Sequence, residues 1–470
     1  MTRTPQERKT LIRRFFQALP EAGHTNIAEV DRYYVDRNLG GSSSDPVEEL
    51  RQQLTMALSA GAYLFSGLRG SGKTTELIRL QEKLEADGCI VFYTDIANYI
   101  NLRVPLGVED TIFAMLGALS DCYKTQFGED RTRESYWDRA ANFLKSKITV
   151  EGWSAKVVAG GSGFDIRGSL FTELSFRQKL REGLSDNADV FLRDAREYAT
   201  EIVRSARQLK RVDDDTPVVL IVDSLERVSA ATGDETKMFD GLKELFFNQR
   251  DKLRFHALTI IYSVPPYLDA VIPGVAVGFS GGKTFGLPHF KVLARNSADM
   301  RHAKGIDLMV EAICKRFPEW ASVVSRDPLE TLAFQSGGNM RRFFNLAREL
   351  LVRLQLSPEV PLPLPENNLD LIEAVLSTAR EPYQWLSEHD WKWLNKVADE
   401  NQVRTETASD LPTVLRLFDT SLILDYRNGD RWYQVLPLVR PLLKQIKAAS
   451  TQPGIASEAP LAEGPPAPTP

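Results

Sequence analysis

The period of the apolar positions changes once along the chain, close to residue 62. Upstream, Leu11 to Leu19 places apolar residues at helical spacing, and Pro46 to Ala60 does so again beyond a Gly40-Gly41-Ser42-Ser43-Ser44 break. Downstream, short continuous apolar runs alternate with longer amphipathic stretches, the pattern of strands buried on both faces and joined by crossover helices. This predicts an α/β fold on a parallel sheet, with strands at Tyr63–Ser66, Ile90–Thr94, Val218–Val222 and Leu258–Tyr262 and a fifth at Phe290–Leu293.

Between the second and third runs lies far more chain than one crossover helix needs, so an insertion is expected at about 105–210. Its pattern is helical from Gly107 to Lys145 and extended at Ile148-Thr149-Val150 and Ala155-Lys156-Val157-Val158. Gly160, Gly161 and Gly163 then supply turns, and a long helix is expected from Asp186 to Gln208. After the sheet, Ile306–Phe317, Leu329–Gln335 and Met340–Leu354 predict a small helical lid over 301–357. Pro358, Pro361, Pro363 and Pro365 mark a stiff link.

A further unit is expected at 366–448. Ser387 and Asp390 form a capping pair for a helix through Asp399, and Leu411 to Phe418 gives another helix. Leu422–Tyr426, an Asn428-Gly429 turn and Arg431–Val435 make a hairpin. Residues 1–60 read as a helical lead-in packed on the next domain, 61–300 as the sheet domain, and 449–470 as a Pro/Ala tail with too little bulk to pack.

The 470 residues are 43% hydrophobic and 26% charged, an ordinary globular mixture with room for two or three cores. Lys and Arg number 58 against 63 Asp and Glu, a net charge of -5. That balance excludes a surface generally coated with nucleic acid and leaves a local basic patch open. Cys89, Cys122 and Cys314 lack C-x-x-C spacing and read as reduced core thiols; His24, His256, His289, His302 and His389 do not cluster, so neither a metal centre nor a catalytic triad is expected. The charged N-terminus and the lack of any run near 18 apolar residues predict a soluble, cytoplasmic protein without a membrane partner.

The strongest chemical signal is Gly67-Leu68-Arg69-Gly70-Ser71-Gly72-Lys73-Thr74-Thr75, which follows a predicted strand and opens a helix. It has the G-x-x-x-x-G-K-[ST] spacing of a phosphate-binding loop. Glycines let the backbone turn tightly and present successive N–H groups to phosphate oxygens at a helix N-terminus. This predicts binding of ATP with Mg2+, with Lys73 bridging the β- and γ-phosphates and Thr74 holding the metal. Arg69 either touches a phosphate or points to solvent, and solvent is favoured. A second Mg2+ ligand is expected at the end of a buried strand, and Val218-Val219-Leu220-Ile221-Val222-Asp223 supplies it in Asp223.

The segment Asp223-Ser224-Leu225-Glu226-Arg227 resembles the Walker B pattern of STAND-class P-loop NTPases, including NACHT and KAP proteins. AAA+ motors carry Glu directly after the Asp, where Ser224 stands here, so the resemblance makes Glu226 the candidate for orienting the attacking water. Thr259 to Pro265 is similar to a sensor-1 strand with Ser263 at its tip, although Ser263 also suits a helix cap. Gly337-Gly338-Asn339-Met340-Arg341-Arg342 is similar to the start of the sensor-2 lid helix of origin-recognition-type ATPases, with Arg341, or else Arg342, reading the γ-phosphate. No arginine lies between Pro265 and His289, where ring-forming motors keep an arginine finger. Tyr33-Tyr34-Val35 is either an adenine platform, as in the lead-in of AAA+ relatives, or packing.

Helix, helix and hairpin in the last unit resemble a winged helix. Leu411 to Thr420 offers only Arg416 against Asp419, which favours protein contacts or autoinhibition over DNA reading. Trp385, Trp391, Trp393 and Trp432 read as core. The resemblance implies a slow regulatory ATPase that switches contacts with a protein partner or effector, or its own oligomeric state, in settings such as bacterial antiviral defence. The alternative is a DNA-binding ATPase of the origin-recognition or loader type.

Overall fold

The computed structural model describes residues 4–19, 32–37, 45–128, 136–147, 174–185, 187–228, 235–295, 297–366, 368–405, 408–428 and 430–451. Strands β1 (Ala62–Gly67), β2 (Ile90–Asp95), β3 (Val218–Asp223), β4 (Thr259–Val264) and β5 (Thr284–Leu287) form one sheet in the order β2-β3-β4-β1-β5, with every pairing parallel. Every residue of β1, β3 and β4 is buried, which explains why these runs are continuously apolar.

Helix α1 (Pro5–Ala18) lies away from the sheet, whereas α2 (Pro46–Met56) and α3 (Lys73–Ala86) cover one of its faces. There Tyr63, Phe65, Val219, Ile221 and Ile261 meet Val47, Leu50, Leu54, Leu77 and Leu80. Their neighbours along the strands, including Leu64, Leu220, Val222 and Ile260, join the larger core on the other face.

The fifth strand is Thr284–Leu287 and not Phe290–Leu293. Pro288 has no N–H for a ladder. Beyond it Phe290, Val292 and Leu293 are buried elsewhere, and the N–H of Phe290 donates to the carbonyl of Gly338 at 3.2 Å. The short β6 (Leu293–Ala294) pairs antiparallel with β7 (Ser297–Arg301) instead.

The insertion contributes α4 (Val108–Phe127), α5 (Tyr136–Lys147), α6 (Leu174–Ser185) and α7 (Ala188–Lys210). Arg177 and Arg181 of α6 both bond the fully buried Asp110 of α4, at 2.9 and 2.8 Å, and fix the two helices together. Between β3 and the lid lie α8 (Glu235–Lys243) and α9 (Tyr267–Val271), and the lid itself is α10 (Ala303–Arg316), α11 (Arg326–Gln335) and α12 (Met340–Leu356). Phe15 of α1 stacks on Phe317 at 4.7 Å, and Arg8 bonds the carbonyls of Leu354, Ser357 and Val360 at the end of α12. The first part of the lead-in therefore packs on the lid and not on the sheet that follows it.

The last unit comprises α13 (Leu369–Arg380), α14 (Glu388–Glu400), α15 (Leu411–Asp419), the antiparallel pair β8 (Ile423–Asn428) and β9 (Asp430–Val435), and α16 (Arg440–Thr451). The capping box at Ser387 and Asp390 is present. Trp391, Trp393 and Trp432 are buried, but Trp385 is 88% exposed, on a 3-10 turn (Glu381–Trp385) that buries none of its residues. The fold is thus an α/β parallel sheet of the P-loop NTPase kind, followed by a helical lid and a C-terminal winged-helix unit. Among the described residues no helix is long and apolar enough to cross a membrane. The Gly40–Ser44 break, the extended stretches and glycines of 148–163, Gly429 and the tail beyond Thr451 lie outside the described residues.

Candidate functional site

The site stands at the carboxyl ends of the strands, where β4 separates β1 from β3. Strand β1 ends at Gly67 and α3 begins at Lys73, with Gly72 as its N-cap. Gly72 sits at φ 91°, a conformation that disfavours any side chain, and gives the helix no side-chain cap. The first-turn N–H groups of α3 are thereby left for an anion. At Gly70 (φ 79°) a Cβ would run into the side chain of Asn339.

Lys73 folds back over the loop. Its Nζ donates to the Gly67 carbonyl at 3.2 Å and pairs with Glu226 Oε1 at 2.7 Å. The other oxygen of Glu226 accepts from Ser263 Oγ at 2.7 Å. Burial pushes the Glu226 carboxyl up, but the Lys73 charge and the bonds from Lys73 and Ser263 outweigh it and hold the group ionised. Glu226 therefore occupies the Lys73 ammonium that a phosphate would take.

Asp223 is 1% exposed and fully bonded. Its Oδ2 accepts from Thr74 Oγ1 at 2.8 Å and from Tyr93 at 2.7 Å, and its Oδ1 accepts the Ser224 N–H at 2.7 Å. Burial, then repulsion from Glu226, pushes its carboxyl up against the pull of Lys73. A divalent cation would relieve that strain. Among the described residues no three His, Cys, Asp or Glu side chains form a metal cluster. Thr74 and Asp223 are the residues of this group that could hold a divalent cation, and so few protein ligands would suit Mg2+, which keeps much of its water. Ser71 Oγ and Ser224 Oγ are buried without a hydrogen-bond partner among the described residues, leaving polar capacity for a ligand. Ser224 is held at φ 78°, an uncommon conformation for a residue with a side chain.

The lid closes on the loop through Asn339, the N-cap of α12. Its amide donates to the Arg69 carbonyl at 2.7 Å while its oxygen accepts the Arg342 N–H at 3.1 Å. The two lid arginines separate. Arg342 bonds the carbonyls of Thr420 (3.1 Å) and Ser421 (3.3 Å) in the winged-helix unit. Arg341 is pushed below its usual value by burial and by the charges of Arg69 and Arg227. Arg69 itself is exposed.

A cleft of about 70 Å3 opens beside the loop. Tyr33, Tyr34 and Val35 line it together with Ser71, Gly72, Thr75, Phe290 and Met340. Arg37 plugs its wall by donating to the carbonyls of Ser71 (2.5 Å) and Pro288 (2.7 Å), pairing with Glu76 at 3.3 Å and lying over the Phe290 ring.

The winged-helix unit docks on the sheet domain through α15, the helix that such modules use for reading DNA. Five residues of α15, Thr413, Val414, Leu415, Leu417 and Phe418, are buried, and Phe418 meets Tyr267 of α9 at 6.0 Å. The hairpin follows: Arg431 bonds Asp269 (3.0 Å) and the Pro266 carbonyl (3.2 Å), the Asp425 carbonyl accepts from His289 N–H, and Tyr426 donates to the Gly337 carbonyl at 2.7 Å.

Of the residues expected from sequence, Lys73, Glu226 and Ser263 form one bonded group and Thr74 and Asp223 a second beside it, while among the described residues no hydrogen bond or ion pair ties Arg341 to either. Sequence reasoning missed Tyr93 and Arg37, and it named Asn339 only as part of the Gly337–Arg342 segment, without a role. Only Asn339 carried a local signal, as a side-chain cap ahead of an amphipathic helix.

The sequence matches no family model and no curated protein. Solved structures similar to it include Cdc6p from Pyrobaculum aerophilum (12% identity, 89% of this chain and 99% of that one, TM-score 0.34). A second is the Aeropyrum pernix ORC1 protein in complex with DNA (13%, 93% and 97%, TM-score 0.36). A third is Drosophila ORC bound to DNA (10%, 93% and 91%, TM-score 0.35).

Proposed function

We propose that the chain is a slow ATPase that binds ATP with Mg2+ and uses nucleotide state to control docking of its lid and winged helix. The observation that carries this reading is the continuous bonded path from loop to winged helix. Asn339 holds Arg69 of the loop, Arg342 three residues on holds Thr420 and Ser421, and α15 lies buried against the sheet domain.

Lys73 and the α3 N-terminus bind the phosphates; Thr74 and Asp223 would hold Mg2+, which would supply positive charge against the phosphate charge. Phosphate takes Lys73 from Glu226. The freed carboxylate, kept in place by Ser263, orients water for in-line attack, and Arg341 brings the lid to the γ-phosphate. The output is a contact with a protein, because docking hides the face a DNA reader needs. The STAND label and a defence setting rest on the Asp223–Arg227 segment alone and are not part of this proposal.

The second reading, a DNA-handling ATPase of the origin-recognition type, is favoured by the winged-helix form of the C-terminal unit. Sizing of the full chain with and without Mg-ATP, beside Lys73→Ala, tests the switch; identical profiles under all conditions refute it. DNA binding measured at low salt separates the two readings, since a DNA reader gains affinity steeply as salt falls.

A further inference from the structure

Among the donors that hold Asp223, Tyr93 has no role in the scheme above. It stands on β2 opposite Ile221, and Asp95, two residues on, stands opposite Asp223. Residues two apart on a strand share a face, so the Tyr93 ring lies on the Asp223 side of the sheet, against the core that Ile221 and Leu77 form under α3. Its hydroxyl donates to Asp223 Oδ2 at 2.7 Å, the length of a charge-assisted bond.

Two other groups grip the same carboxylate. Thr74 Oγ1, at the start of α3, donates to Oδ2 at 2.8 Å, and the Ser224 N–H donates to Oδ1 at 2.7 Å. A carboxylate has about four acceptor positions, two on each oxygen. Both positions on Oδ2 are filled, so Asp223 keeps one, on Oδ1. Thr74 is assigned to the cation as well, whereas among the described residues the Tyr93 hydroxyl bonds Asp223 and no other group.

That count bears on which cation would fit. Mg2+ needs only one bond from a carboxylate and keeps water and phosphate oxygens for the rest, whereas Ca2+ takes more oxygens at longer distances and often grips a carboxylate through both. We infer that Tyr93 is a positioning residue for the divalent cation: by filling Oδ2 it holds the Asp223 carboxylate in one orientation and confines it to a single contact, which favours Mg2+ over Ca2+. The inference rests on the reading of the site as one for ATP with Mg2+. Tyr93 acts through Asp223 and exchanges no proton.

Affinity of the full chain for a non-hydrolysable ATP analogue, measured in EDTA, in Mg2+ and in Ca2+, tests this. Tyr93→Phe removes only the hydroxyl and leaves Asp223 two donors, so the fold is kept. Analogue affinity in EDTA should stay within about twofold, the gain from Mg2+ should fall about tenfold, and the gain from Ca2+ should fall by no more than about twofold. The preference for Mg2+ therefore drops about fivefold or more. A bond that served only to tie β2 to β3 would lower stability in denaturant titration and leave the ratio of the two gains where it was. An unchanged ratio, or an equal loss in all three conditions, overturns the inference. Wild-type protein whose analogue affinity gains nothing from Mg2+ refutes the reading beneath it, whereas a wild type that gains from Mg2+ and is matched by Tyr93→Phe refutes only the role of Tyr93.

Discussion

Docking of the winged helix buries two groups that titrate in opposite senses, and their balance gives a pH signature. Asp419, at the end of α15, is pushed from 3.8 up to about 7 by burial, with Glu235 adding to the shift and Arg69 opposing it; the Tyr267 hydroxyl faces it from α9. His289, beneath the hairpin, is pushed from 6.5 down to about 3 by burial, with Arg342 and Arg37 acting in the same direction and Asp425 against them. The undocked state is taken as one in which both are solvated.

The Asp419 pKa is raised on docking, so its contribution is full below about 4 and is lost as pH rises through 7. Between pH 6 and pH 8 docking weakens by about 1.4 kcal/mol, or tenfold. The His289 pKa is depressed, so its contribution is full above about 6.5 and is lost as pH falls. Docking is about 0.8 kcal/mol weaker at pH 6 than at pH 8, or roughly fourfold. The wild type should therefore open about 2.5-fold more at pH 8 than at pH 6. In Asp419→Asn only the histidine remains, and the sign reverses to about fourfold more opening at pH 6. Native-state amide exchange, corrected for the intrinsic pH dependence, reads this at the His289 N–H and across the hairpin. A common sign in both proteins, or no slope in either, refutes the reasoning.

Perturbations at four further positions test the site. Glu226→Gln should keep Mg-ATP binding and lose hydrolysis by about a hundredfold or more, while Asp223→Ala should lose the Mg2+ dependence of binding, as measured by titration with and without metal. Lys73→Ala should abolish nucleotide binding and, by leaving Glu226 buried without its counter-charge, lower stability by about 3–5 kcal/mol in denaturant titration. Asn339→Ser keeps a helix cap but removes the amide on the Arg69 carbonyl, so ATP affinity should fall several-fold with little change in lid stability; Asn339→Ala should cost about 1 kcal/mol more.

Most of the sheet was legible because buried parallel strands must be continuously apolar, and Val218 to Val222 admits no other reading between its flanking polar residues. The fifth strand was not. Thr284–Leu287 opens on a threonine and contains Gly286, whereas Phe290–Leu293, of the same length, carries three large apolar residues that are also buried but serve the loop and lid. Local pattern reports burial and not which neighbour provides it. The same limit applies to the site: glycine spacing marks the loop, but Tyr93 reaches it only through strand register, Asn339 through lid closure and Arg37 through packing of the lead-in segment.

What α15 would present on leaving the sheet domain bears on its partner. Its buried side chains are Val414, Leu415, Leu417 and Phe418 with Thr413, and its arginine, Arg416, is already tied to Asp390 at 2.5 Å. Part of that apolar face packs within the winged-helix unit, but Phe418 also faces Tyr267 of the sheet domain, and undocking uncovers both rings. A DNA groove offers phosphates and base edges, which need cations and hydrogen-bond donors that this helix lacks. An apolar helix face gains most from an apolar groove on another protein or on a second copy. The nucleotide state that undocks the winged helix should therefore raise self-association or partner capture without raising affinity for DNA. Tight binding of Mg-ATP-loaded protein to a DNA duplex with a steep salt dependence would contradict this reasoning.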